Sequence, residues 1–385
     1  MTDAFGRLLQ AQALGGATAV LDCLIEIFRE RGEFNRMFEA RLMRQRHELG
    51  LPLIPETTPE ELGQARQAYQ DALLAAARDT AMLYLNAGQI AEAWPYFRAL
   101  GQTSEIRQAI EQLGDAEGDD AVMEIALQEG VHPAKGFAML LKRHGICRAL
   151  TFFEQYPDLA TREASLALLS RTLHSELDAN LRAAIEALEG TAPEGNNIPQ
   201  LIANRDWLFG EYSAHLDVAH LMSIVRFCWE SSDPDTLARG LEMAEYGSRL
   251  HATVSYRGDP PFEDFFRDAT IYLRARTGVD VEAAVAHFRA KVASYDLEEI
   301  GSYPVQTFIR MLLRLNRPAV AVEVFEQFLS DVNPAYLSCP SLPQLCRLAG
   351  DFERLKMIAQ RDGDLIQYVA AILAQETALG RTANS

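Results

Sequence analysis

The sequence is short of the residues that staple, coordinate or span. Its five cysteines (Cys23, Cys147, Cys228, Cys339 and Cys346) are scattered, odd in number and free of any Cys-x-x-Cys pair. That usage argues against a disulfide framework or a thiolate zinc site and points to a reducing, cytoplasmic setting. No segment reads as the roughly 20 apolar residues of a membrane span. The opening MTDAFGRLLQAQALGG lacks the basic start and clean apolar run of a secretory signal, so no membrane partner is expected. HExxH, G-x-S-x-G and a phosphate-binding glycine loop are all missing, which removes the common hydrolase and nucleotide signatures. Positive charge is short as well: Lys+Arg of 36 against Asp+Glu of 54 leaves a net charge of -18. That field repels phosphate backbones and makes nucleic acid an unexpected partner. Two basic clusters, 41-RLMRQRH-47 and 142-KRHGICR-148, interrupt it and read either as sites for an acidic ligand or, more simply, as solvated helix faces.

What is present is a chain of 385 residues, 48% hydrophobic and 23% charged, the composition of a folded, soluble protein. It exceeds the size at which one core stops growing, so two or more lobes or an elongated repeat stack are expected. Apolar residues recur at spacings of three and four between breakers, and no β-branched run alternates far enough for a strand, so the fold class is all-α. Helix starts are legible at Thr58, with Pro59 and Glu61 completing a capping box. Two more stand at Asp233-Pro234 and Asp259-Pro260, in each of which an aspartate precedes a proline.

A repeat shows in the residues after the turns. Gly88 is followed by Ala93 and Phe97, and Asn316 by Ala321 and Phe325 at the same offsets. Gly278 precedes Ala284 and Phe288 with one more turn residue, and Gly350 precedes Leu355 and Ala359. A turn reverses the chain, a small residue lets two helices approach, and a large one fills the groove a turn later. Over about residues 70–100 and 265–360 this pattern resembles the tetratricopeptide-repeat (TPR) family. Tyr84 stands where that family places an aromatic, although the family's first-helix tryptophan and Leu-Gly pair are missing. The resemblance implies a TPR-like α-solenoid with a concave binding surface. Three regions are expected: N-terminal hairpins over 1–118, a less regular central region over 119–258, and C-terminal hairpins over 259–385.

The central region holds six of the eight histidines: His132, His144, His174, His215, His220 and His251. Along 211-EYSAHLDVAHLMSIVRFCW-229, about 100° per residue puts apolar side chains on both faces, so a central, buried helix is expected. Asp217 and His220 share one side, whereas His215 points roughly 140° from His220. Two readings follow. In one, Asp217 and His220 ligate a transition metal as a carboxylate-x-x-His unit, with His174 as a further donor. Glu129 and His132 repeat the spacing beside Gly130, at an expected helix end. In the other, the histidines are buried groups satisfied by hydrogen bonds. His144 and Cys147 stand three apart without an orienting third group. The stretch 256-YRGDPPFEDFFRD-268 either lines a groove for cations or is a helix start in which Asp259 caps and Phe262, Phe265 and Phe266 pack inward. The function expected is that of a binding or scaffold solenoid offering an acidic groove to a protein, peptide or small ligand. The alternative is a non-haem iron or zinc enzyme built on His220, Asp217 and His174.

Overall fold

The computed structural model describes residues 4–53, 65–155 and 159–382. It is 74% helix, and no strand occurs among the described residues, as the three-and-four spacing demands. Two compact units divide the chain, 1–149 and 150–385. The capping box read at Thr58, Pro59 and Glu61 lies outside the described residues.

The first unit runs through α1 (Ala4–Glu30), α2 (Phe34–Glu48), α3 (Arg66–Asn86), α4 (Ile90–Ala99), α5 (Ser104–Gln112) and α6 (Asp120–Leu127). Most pack on their neighbours in sequence, while α6 also lies against α4, around a core that includes Tyr84, Phe97, Ile106, Ile110 and Ile125. By composition, α1 overturns the expectation that nothing approaches span length: it has 27 residues, with a mean hydropathy of 1.4 in its most apolar window. Yet it is not straight. Gly16 breaks it at φ 66° and ψ -153°, and Arg7 donates to both carboxylate oxygens of Glu30 at 2.6 and 3.1 Å. A straight helix would hold those two residues about 35 Å apart. The segment therefore doubles back, and each half is too short for the roughly 30 Å of a hydrocarbon core.

The next helix, α7 (Pro133–Glu154), turns at Gly145 with φ 76° and ψ 179° and runs across the division at 149. In the second unit the long α8 (Leu159–Glu189) receives α9 (Ile198–Ile202), α10 (Val218–Cys228) and α11 (Pro234–Gly247). From there the packing passes through α12 (Phe265–Arg276) and α13 (Val281–Ala293) directly to α15 (Tyr303–Arg314), the single-turn α14 (Leu297–Ile300) lying between the last two in the chain. It continues through α16 (Pro318–Leu329), α17 (Leu342–Ala349), α18 (Phe352–Asp362) and α19 (Leu365–Thr382). Aromatic rings tie successive helices: Trp229 stacks on Phe262 at 4.3 Å, Phe262 meets Phe288 at 5.2 Å, and Phe288 meets Phe308 at 6.5 Å.

The four turns read from sequence share one backbone device. Gly88, Gly278, Asn316 and Gly350 take φ of 75°, 87°, 56° and 70°, the left-handed region that glycine enters freely and asparagine tolerates. In each, the amide after the left-handed residue reaches the carbonyl five positions back, as Gln89 does to Tyr84 and Arg317 to Leu312. This is a Schellman closure, which supplies donors to carbonyls that the ending helix leaves orphaned. The positions beyond are as expected: Ala93, Phe97, Ala284, Phe288, Ala321, Phe325, Leu355 and Ala359 are all buried.

Two helix starts differ from one another in outcome. Asp233 caps α11, its carboxylate accepting the Thr236 amide at 2.9 Å. Asp259 does not cap: α12 begins only at Phe265. The reason is the second proline, because Pro260 itself precedes a proline and is pushed away from helical ψ. Phe262, Phe265 and Phe266 are nevertheless buried.

Ala321 has no exposed surface, so Ala321→Leu overfills the α15–α16 approach. We expect a loss of about 1–3 kcal/mol in urea unfolding, against a change within about 0.5 kcal/mol for Ala370→Leu on the exposed face of α19.

Candidate functional site

The expected central helix starts later than its apolar pattern suggests. Asp217 is the N-cap of α10, its Oδ1 accepting the amides of Ala219 at 2.8 Å and His220 at 3.1 Å. A carboxylate there satisfies two orphan donors and faces the positive end of the helix dipole. His220 is half-buried in the first turn. From Val218 onward the expected faces hold, with Val218, Leu221, Ile224, Val225, Phe227 and Cys228 buried. Ala219 and Arg226 remain exposed, so α10 is covered on most sides but not all.

The other histidines take separate partners. His174 Nε2 lies 2.8 Å from Glu242 Oε2, which also accepts the Ile198 amide at 3.1 Å, joining α8, α11 and the start of α9. Asp178, one helical turn along α8, binds Arg182 at 2.7 Å. Burial works to raise the Glu242 carboxyl, but the bonds from His174 and Ile198 outweigh it and hold it below the usual carboxylate range. Glu129 pairs with Arg98 at 3.0 Å while His132 contacts Glu111, so that pair also diverges. His144 Nδ1 lies 3.5 Å from Arg148. No group of three or more His, Cys, Asp or Glu able to hold a metal ion occurs among the described residues.

His215 precedes α10 and is held by Tyr246. The Tyr246 hydroxyl accepts the His215 amide at 2.9 Å and lies 3.0 Å from its Nδ1. Burial lowers the His215 pKa and pushes the Tyr246 hydroxyl up to about 12.

A concavity lies beside the irregular connection 248–264 between α11 and α12. A cleft of about 530 Å³ opens there, lined by Leu250, Ser255, Tyr256, Arg257, Glu263, Asp264, Phe266 and Lys291 among others. Gly247 admits the Phe266 ring, which any Cβ at that position would strike. The loop is tied down by Thr253, whose hydroxyl donates to the Glu211 carbonyl and contacts His251 Nδ1 at 2.9 Å. A second cleft of about 280 Å³ shares Tyr256 with it and is otherwise lined by Ala219, Met222, Ser223, Arg226 and Phe265.

One wall of the larger cleft rests on a charged network. Asp268, 1% exposed, accepts from His287 Nε2 at 2.8 Å, Lys291 Nζ at 2.6 Å and the Asp264 amide at 3.1 Å. Lys291 also stands 2.6 Å from Glu263 Oε2, an ion contact outside hydrogen-bonding angles, while Tyr295 donates to Glu263 Oε1 at 2.5 Å. Burial acts to raise the Glu263 carboxyl, and Lys291 and Tyr295 overcome it, leaving it below the usual range. Burial and the neighbouring Glu263 carboxylate push the Tyr295 hydroxyl upward. Asp268 was visible in sequence only as part of the acidic 256–268 stretch, and His287 and Lys291 went unread. Their four-residue spacing on one face of α13 was the available signal.

With this geometry in hand, comparison with known proteins adds nothing further: no protein-family model, curated protein or solved structure matches the chain.

Two measurements test the site. Asp268→Ala removes the acceptor of His287 and one of the two carboxylates facing Lys291 and opens a buried gap, and we expect a loss of about 1–3 kcal/mol in chemical denaturation. Adding Lys291→Met should recover part of that loss in a double-mutant cycle. For His215, the folded pKa lies below the ordinary 6.5, so its contribution is present above that value and fades as pH falls through the folded one. Wild-type Tm should therefore drop relative to His215→Asn, which keeps an acceptor for Tyr246 without titrating, as pH is lowered from 7 to 5.

Proposed function

We propose that this chain is a binding protein of tetratricopeptide-like hairpins, with the clefts around Tyr256 as its ligand site. The observation that carries the reading is the position of the clefts. The larger is lined mostly by the long irregular connection 248–264 and the smaller shares its Tyr256, and long structureless connections in a compact unit are commonly functional. Packing between sequence neighbours supports a solenoid, whose groove takes a protein, peptide or small ligand without catalytic geometry. The net charge of -18 favours partners other than nucleic acid.

The alternative, a metal-dependent enzyme, requires His220, Asp217 and His174 as a joint donor set, and Asp217 is engaged as a helix cap. The test pairs two exposed substitutions, Tyr256→Ala and Ala219→Arg, which should leave Tm within a few degrees of wild type. We expect both to cut recovery of partners in quantitative pull-downs at least fivefold. Unchanged recovery sinks the site assignment. Near-stoichiometric iron, zinc or manganese in untagged protein, lost in His220→Ala, transfers the reading to the enzyme.

A further inference from the structure

We infer that the ligand of the Tyr256 clefts is an extended peptide segment that places an apolar side chain in the smaller cleft and a basic one in the larger. This inference rests on the binding reading above. Its first support is shape. Both clefts are lined by Tyr256, 59% exposed, so the ring forms a ridge between two cups. An extended chain crosses a ridge and drops alternate side chains to either side, which is how strand-like peptides gain specificity from pockets. A compact small molecule fills one cup and leaves the other empty.

Chemistry divides the two cups. The smaller has Met222, Ala219 and the buried Phe265 ring on its walls, and its one cation, Arg226, already faces Glu154 at 3.5 Å. An aliphatic side chain suits it. At the larger cup three carboxylates, of Glu263, Asp264 and the underlying Asp268, face two cations, of Arg257 and Lys291. Lys291 is committed to Glu263 and Asp268, and exposed Asp264 makes no side-chain cap bond to its own helix. Asp264 is therefore the carboxylate open to an incoming ammonium or guanidinium. Exposed Arg257 is placed to donate to main-chain carbonyls of the same peptide. The field of a chain at -18 steers cationic segments toward the site and away from acidic ones.

The test uses fluorescein-labelled Gly/Ser decapeptides carrying one Leu and, two residues later, one Lys. Matched peptides have Glu for the Lys or Ser for the Leu. Anisotropy is read with the full chain at about 0.15 M salt, where a surface charge contact is still felt over about 8 Å. We expect the Leu/Lys peptide to bind at least tenfold more tightly than either control. Asp264→Lys should reverse the preference between Lys and Glu peptides, and Ala219→Arg should erase the advantage of Leu. Both positions are exposed, and circular dichroism checks their folding. Equal binding of Lys and Glu peptides, or an Asp264→Lys preference unchanged from wild type, overturns the inference. A photo-crosslinker placed at position 256 separates the two levels. Crosslinks to a protein segment devoid of Lys and Arg overturn the basic ligand and keep the binding reading; no peptide binding together with no crosslink removes both.

Discussion

A helix that stops leaves carbonyl oxygens without donors, and the architecture of this chain depends on how that shortage is met. At Gly88, Gly278, Asn316 and Gly350 one residue in left-handed conformation turns the chain so that the next amide closes the ladder. The same closure follows α1, α2, α4 and α18, where Glu33, Leu51, Gln102 and Asp364 reach back five positions. Each closure also fixes the direction in which the chain leaves, and so decides that the next helix lies against the one just ended. Small residues such as Ala93 and Ala321, both fully buried, then permit close approach. The hairpins are thus a consequence of backbone satisfaction first and of apolar packing second.

Where this device is absent, the chain does something different. After Gly247 there is no short reversal. The connection 248–264 wanders before α12, and the two prolines at 260 and 261 prevent the helix from starting at the aspartate that precedes them. The aromatic residues of that stretch still find the core, with Phe262 against Trp229. Its polar residues are left at the surface, over a wall whose charges are held by Asp268. A carboxylate 1% exposed is tolerable only because His287, Lys291 and the Asp264 amide all donate to it. A buried carboxylate held by three donors thus stands beside an irregular loop, a contrast with the short closed turns elsewhere in the chain.

Reading the helices from sequence worked where one local rule governed. The Asp233 cap, the left-handed turns and the buried positions after them follow from spacing alone. It failed where two local rules competed. Asp217 sits in an apolar run that reads as helix interior, but its short acid side chain bonds the amides of Ala219 and His220 more readily than it continues the helix. Asp259 reads as a cap until the second proline is weighed. At α1 the hydropathy of a span and the helix-breaking freedom of Gly16 point opposite ways, and the Arg7–Glu30 pair shows which prevailed.

By itself, then, the sequence determined helix content, the turn positions and the residues buried after each turn, because these depend on neighbours within one or two helical turns. The tertiary structure alone decided which distant side chains met. His174 takes Glu242 rather than the nearby Asp178, and Asp268 gathers His287 and Lys291 from the following helix. Those pairings depend on the angle at which one helix is set against the next, a quantity summed over many side chains that no local spacing encodes.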